Sequence, residues 1–486
     1  MTSDNEVSNL IDGKSVPASG TQTRPVLDPS TEAQIATVRD SSSADVNAAV
    51  AAARAAFETW RRYTPGKRAE MLVECGRHLR EHVDELIGLE VTDAGKPVST
   101  VQNEEMPGIL GSFEFFATAA RTLTGQASGD YVDGHTTVLR REPIGVVAGI
   151  TPWNFPLWQA VWKAAPALAA GNAVVMKPAE NTPLSTTRFA ELVNDVLPPG
   201  VLNVVNGLGS TTGAALVAHD DVDMVSFTGS TRAGRAIAEA AGRGIKQVLL
   251  ELGGNSPVII FDDVDIEAAL DTIVNGVLFN AGQECMSATR LIVAENVHDV
   301  FVDRLRARIE SSAHTGDTAD PETTLGPLIS EVQRDRVHQL VESRSTGSEL
   351  IIGGRPIDRP GFYYEPTLIG HVSQDEPLVQ EEIFGPVATV QTFGDEAQAL
   401  AMANGVPQRL ASSIWTRDIS RALRLAAQVE TGNVWINTHM VVGPDVPLGG
   451  FGQSGHGKEG GVAGVDAFSR LKHIQIRVGQ TDTYSD

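Results

Sequence analysis

The sequence predicts an α/β protein, and two observations carry that prediction. From residue 145 onward, short apolar runs alternate with amphipathic segments: GVVAGI (145–150), AVVMK (173–177), VLNVV (201–205), MVSF (224–227), QVLLEL (247–252) and PVIIF (257–261). Such alternation is the signature of βαβ units and a parallel sheet. The composition agrees: 47 glycines, 42% hydrophobic and 20% charged residues describe a globular chain dense in strand-to-helix turns. At 486 residues the chain exceeds one ordinary core, so two large domains are expected.

Taken in order, the first clear element is a helix over 42–61. Ser42 and Asp45 fit a capping box, and Val46, Val50, Ala53, Phe57 and Trp60 recur at helical spacing. After the strand 173–177, Thr182 and Pro183 read as an N-cap and first helical residue leading into LSTTRFAELVNDVL. Lys177 and Glu180 therefore fall at the carboxyl end of a strand, where open α/β sheets bind ligands. A GxGxxG fingerprint is missing from its usual place, and NGLGSTTG (206–213) has the wrong spacing. FTGS (227–230) closes a strand and opens the helix STRAGRAIAEAAG, which offers free N–H groups to a pyrophosphate or is simply an N-cap serine. Residues 129–142 and 469–480 alternate apolar and polar residues like exposed strands, plain edges or strands that add to another chain's sheet.

A formal charge of −23 argues against nucleic acid and anionic membrane surfaces as partners and favours a small molecule. No apolar run approaches the roughly 18 residues that span a bilayer, and the N-terminus lacks a basic and apolar leader pattern, so a cytoplasmic protein is expected. The two cysteines, Cys75 and Cys285, are 210 positions apart, have no metal-ligand spacing and read as free thiols. No metal site is expected.

Cys285, in FNAGQECMSATR, reads from composition as a buried core thiol or as a nucleophile. Glu251, in LELGG, ends an apolar strand before a double glycine and reads as a solvated turn residue or as an exposed base. The order of motifs decides. TPWNFP (151–156), KPAE (177–180), FTGS (227–230), LELGG (250–254), FNAGQEC (279–285), EEIFGPV (381–387) and PLGGFGQSGHGKE (447–459) resemble the successive motifs of the NAD(P)-dependent aldehyde dehydrogenase superfamily.

That resemblance implies an aldehyde dehydrogenase fold: a Rossmann-like NAD-binding domain from 1–124 and 143–252, a catalytic α/β domain from 253–469, and a β-strand oligomerisation extension from 125–142 and 470–486. It implies a homodimer or homotetramer. It also implies Cys285 as nucleophile, Asn154 as oxyanion donor, Glu251 as general base for thioester hydrolysis, and Glu459 as a proton relay or structural group. For NAD it implies Trp153 beside the cofactor, Lys177 and Glu180 at the adenosine ribose, Gly229 and Ser230 at the pyrophosphate, and Glu382 with Phe384 at the nicotinamide ribose.

Segments 113–147 and 433–442 are most similar to γ-aminobutyraldehyde dehydrogenases, with betaine aldehyde dehydrogenases next. In that subgroup the position of Glu105 holds a substrate amine; Glu104 stands beside it, and Phe155, Gln159, Trp162 and Phe279 form the walls. Leu448, lacking an aromatic ring, argues against a tight trimethylammonium site. The expected substrate is thus an ω-aminoaldehyde or medium aliphatic aldehyde. Alternatives are a betaine aldehyde or semialdehyde, transfer to CoA, a thiol hydrolase, or a non-catalytic structural protein. Glu251, Asn154 and Cys285 together argue against the CoA-acylating and structural readings.

Overall fold

The computed structural model describes residues 6–122 and 128–479. The ends of the two extension segments, 125–127 and 480–486, lie outside the described residues. All six apolar runs are strands. Five of them lie side by side and parallel in the order Gln247–Glu251, Met224–Thr228, Val146–Ile150, Ala173–Lys177, Leu202–Val204. The hairpin Asn9–Ile11 with Lys14–Val16 extends one edge, and Gly455–His456 pairs antiparallel at the other.

Burial on both faces explains why these strands read as continuous apolar runs. Val147, Val174, Met176 and Leu249 pack into a cluster with helices Pro65–Glu81, Met106–Ala119, Pro156–Ala170 and Leu184–Asn194. Their neighbours Val146, Ala148, Val175 and Leu250 point the other way, against helix Ser43–Trp60 and helix Thr231–Arg243. In the first of these two helices the Ser42 hydroxyl accepts from Asp45 N–H at 3.3 Å, and the Asp45 carboxylate accepts from Ser42 N–H at 2.8 Å, which closes the expected capping box.

One helix start differs. Helix Leu184–Asn194 begins after Pro183, and Thr182 makes no cap. The Asp93 carboxylate accepts from Leu184 N–H at 2.7 Å instead, so a residue 91 positions away supplies what the local sequence was expected to give.

The second sheet runs Glu349–Ile352, Thr367–Gly370, Val387–Phe393, Arg290–Ala294, Pro257–Ile260, Ala411–Trp415, Asn433–Ile436, parallel except at its first pair. Gly455–His456 belongs to the first sheet, and helix Gly461–Ala467 packs on the first unit's helices, so the chain returns there after completing the second sheet. Gly129–Val132, His135–Pro143 and Ser469–Arg477 form a separate antiparallel sheet, with nine residue pairs joining the last two strands. Tyr131, Leu471, Ile476 and Val478 of this region are exposed. Among the described residues no helix is long and apolar enough to cross a membrane.

Candidate active site

In the first sheet the chain works outward from Val146–Ile150 to one side and then returns to the other, so strand order reverses between Val146–Ile150 and Met224–Thr228. Ligands of open α/β sheets bind at the carboxyl ends of such a pair. A cavity of about 1010 Å³ lies there, and Asn154, Ser230, Glu251, Cys285, Glu382 and Glu459 all line it.

Cys285 is presented by a tightly held turn. Helix Ile266–Leu278 stops at Phe279, and Asn280 and Ala281 take left-handed backbone, φ 48° and 53°. This conformation costs free energy for residues other than glycine and persists only when neighbours hold it. The Asn280 amide donates to the Asn154 carbonyl at 3.0 Å, and Gln283 accepts from Ile329 N–H at 2.8 Å while donating to Asn280 O at 3.1 Å. The Asn154 amide in turn donates to Gln283 O at 2.9 Å. An amide has two N–H donors, so one is left for the cavity.

The Cys285 thiol donates to Glu284 Oε1 at 3.3 Å, and Met286 N–H donates to the same oxygen at 3.2 Å. Burial first, and the Glu284 carboxylate second, push the thiol pKa well above its ordinary value. The resting group is a thiol. Folding does bring a histidine near: His439 is buried beside the turn, its pKa lowered to about 4 by burial. Its Nε2–H donates to Met286 O at 2.8 Å, however, and it makes no bond to Sγ, so a cysteine–histidine hydrolase pair is not formed.

Glu251 ends its strand as expected, with Oε1 buried and unpartnered. Burial, then the charge of Glu459, raises its pKa well above the usual carboxylate range, against the pull of Lys163 and Lys458. Glu459 Oε1 accepts from Lys163 Nζ at 2.7 Å, and Lys163 also donates to Thr228 Oγ1 at 2.6 Å and Gln159 Oε1 at 3.2 Å. Gln159 and Lys163 stand one turn apart on helix Pro156–Ala170, which is why they meet the same partners.

On the other side of the cavity Glu382 Oε1 accepts from Gly254 N–H at 2.9 Å, and burial raises its pKa to about 7. Trp153 meets Phe384 edge-on at 5.3 Å. Ser230 caps helix Thr231–Arg243, accepting from Ala233 N–H at 3.3 Å, while Gly229 N–H is used by Glu251 O at 3.0 Å. The N–H groups of Thr231 and Arg232, ahead of the capped Ala233, have no partner within the helix and remain available to an anion; Gly229 lines the cavity beside them. Lys177 donates to Glu180 Oε2 at 3.2 Å, and the pair stands at its strand end outside the cavity walls.

Phe155 and Phe279 stack at 6.1 Å, and Trp158, unremarked in the sequence, fits edge-on between Phe155 and Trp162 at 6.3 and 6.0 Å. Leu448 lines the same space. Glu105 requires a correction. Residues 101–105 form a wide helical turn that buries Glu105 completely, where it pairs with Lys96 at 2.6 Å; Lys96 also holds Glu90 at 2.9 Å. A carboxylate fully buried outside the cavity lining, and tied to Lys96, does not reach a substrate amine there. Glu104, one residue earlier, lines the cavity instead.

The sequence profile of the aldehyde dehydrogenase family matches residues 16–474. The chain belongs to the aldehyde dehydrogenase family. It is 39% identical to a betaine aldehyde dehydrogenase of Bacillus subtilis over 96% of both chains, and 39% identical to an aldehyde dehydrogenase of Emericella nidulans over 93% and 92%. Its fold is similar to that of Staphylococcus aureus betaine aldehyde dehydrogenase, solved with NAD+, with a TM-score of 0.95, 36% identity and coverage of 99% and 97%.

The cleft of this aldehyde dehydrogenase fits a dinucleotide by its own residues. Glu382 lies so close to Gly253 that a Cβ there would stand 2.2 Å from its Oε2, and the helix start at Thr231 faces the same space. A second close approach sets the Cys285 turn: a Cβ on Gly254 would lie 1.9 Å from the Cys285 carbonyl oxygen. Displacement by about 1 Å can cost about 100-fold in rate. Gly254→Ala is therefore expected to lower kcat by at least about 100-fold with far-ultraviolet circular dichroism unchanged; a kcat within threefold of the parent contradicts this packing.

Proposed function

We propose that this aldehyde dehydrogenase oxidises a small cationic aldehyde to its carboxylic acid, with NAD, through a thioester on Cys285. The observation that carries the charge preference is one cavity in which Glu104 and Glu284 accompany the aromatic walls Phe155, Trp158 and Phe279. Carboxylates attract the cation, and ring faces accept an ammonium group. The relatives named betaine aldehyde dehydrogenases favour a quaternary ammonium aldehyde as first choice. An ω-aminoaldehyde is the second, favoured by Glu104 at the mouth and by Leu448.

In the proposed reaction Cys285 Sγ attacks the aldehyde carbon. The remaining Asn154 N–H and the Cys285 backbone N–H stabilise the oxyanion, each worth roughly 3 kcal/mol. NAD, when bound, supplies the acceptor for the hydride that this adduct loses in becoming a thioester. Glu251, with a free buried oxygen and a raised pKa, then takes a proton from the water that hydrolyses the thioester. Glu459, paired with Lys163, receives that proton or holds the lysine in place. Lys177 and Glu180 serve the adenosine ribose, where Glu180 would repel a 2′-phosphate and favour NAD over NADP. We assign the strands 129–143 and 469–477 to subunit association.

Cys285→Ser is expected to abolish NADH formation, because an alcohol is a far weaker nucleophile; retention of more than a few per cent contradicts the assignment. Glu251→Gln is expected to leave a burst of NADH, followed by a slow steady state with an acyl adduct on Cys285 visible by intact mass. Equal loss of burst and steady state places Glu251 in the first step instead.

Substrate choice is tested by kcat/KM for betaine aldehyde, 4-aminobutyraldehyde, hexanal, benzaldehyde and succinic semialdehyde. The cations are expected to lead by about tenfold or more, which corresponds to ~1.4 kcal/mol. Glu104→Gln is expected to weaken 4-aminobutyraldehyde more than hexanal. If succinic semialdehyde or benzaldehyde leads, the charge argument fails.

A further inference from the structure

From the geometry around Sγ we infer that Glu284, the residue immediately before the nucleophile, is the base that removes the Cys285 thiol proton, leaving Glu251 to the water step alone. The inference rests on Cys285 being the nucleophile. Glu284 Oε1, at 3.3 Å, is the hydrogen-bond acceptor of Sγ. The carboxylate is buried, 6% exposed, and Met286 N–H fixes the same oxygen at 3.2 Å. The alternatives are occupied or unconnected. His439 is committed to Met286 O and Ser413 Oγ, and Glu251 makes no hydrogen bond to Sγ.

The electrostatics make a partner necessary. The groups that face this pair are Lys96, Glu105, Glu382 and Glu251, three carboxylates against one ammonium. A free thiolate is therefore disfavoured before substrate arrives, as the raised thiol pKa shows. The pKa of Glu284 is itself raised, by burial, which makes its ionised form a better proton acceptor. As the C–S bond forms, the S–H bond breaks and its proton passes to Oε1, while the carbonyl electron pair moves to the oxygen facing Asn154. When hydrolysis later breaks the C–S bond, the departing sulfur takes the same proton back, and the net reaction consumes no further acid or base at this site.

Two consequences separate this role from a structural one. The wild-type NADH burst should rise with ionisation of Glu284 and level off at a pH below that at which thiolate absorbance at 240 nm develops. Glu284→Gln, measured in a Cys75→Ala background so that one thiol is read, removes both the base and a like charge. Its thiol should ionise at lower pH than the wild type, yet its burst at pH 7 should fall by about 100-fold, the usual reach of a general base, and recover toward wild type as the thiol itself ionises. Glu284→Asp should retain part of the burst at pH 7. A burst in Glu284→Gln within threefold of wild type at pH 7 overturns the inference. So does a loss by the same factor at every pH, or a wild-type burst that tracks the thiolate absorbance, a comparison that needs no variant. Cys285→Ser separates the two levels: a burst that survives there defeats the nucleophile assignment itself, whereas a burst lost there but intact in Glu284→Gln defeats only the base.

Discussion

Two backbones in van der Waals contact organise this enzyme. At Gly254, just past the last parallel strand of the first sheet, the chain lies against the carbonyl of Cys285, where a single methyl group would stand 1.9 Å from oxygen. That contact fixes Cys285 relative to the crevice of the first sheet. Glu251 and the helix start at Thr231 belong to one side of the seam; Cys285, Glu284 and Glu382 belong to the other. Glu382 reinforces it by accepting from Gly254 N–H. A chemistry that needs the cofactor face and the thiol within bonding reach therefore depends on two residues without side chains at 253–254.

Around the seam the enzyme gathers like charges out of water. Glu251, Glu284, Glu382 and Glu459 line one cavity, and burial raises the pKa of the first three. Carboxylates with raised pKa are proton carriers suited to neutral solution, as acid–base catalysis requires. Their partners are distinct: a thiol for Glu284, Lys163 for Glu459, a backbone N–H for Glu382, and no hydrogen bond at Oε1 of Glu251. One residue type is thus held in four different ways around one cavity.

Much of this could be read from the chain, for reasons that are physical. The parallel strands were legible because both faces are buried, which writes them as unbroken apolar runs; the helix at 43–60 was legible because its cap is local, Ser42 with Asp45. Cys285, Glu251 and Asn154 were found through ordered motifs, and the fold brings them to one cavity. What the chain concealed depends on distant partners. Thr182 was expected to cap a helix that Asp93 caps. Glu105 was placed at the substrate because its burial against Lys96 follows from a wide turn at 101–105 that no periodicity announces. Lys163 lies inside an apolar helix and gains meaning only when Glu459, 296 residues later, arrives beside it.

The central claim is that the cavity selects its aldehyde by charge, and a pair of substrates matched in shape tests it most directly. Betaine aldehyde and 3,3-dimethylbutanal carry the same three methyl groups on nitrogen or on carbon and differ in one positive charge. The account predicts that kcat/KM for the cation exceeds that for the neutral isostere by about tenfold or more, ~1.4 kcal/mol, chiefly through KM. Equal values for the two, or a preference for the neutral aldehyde, would contradict it.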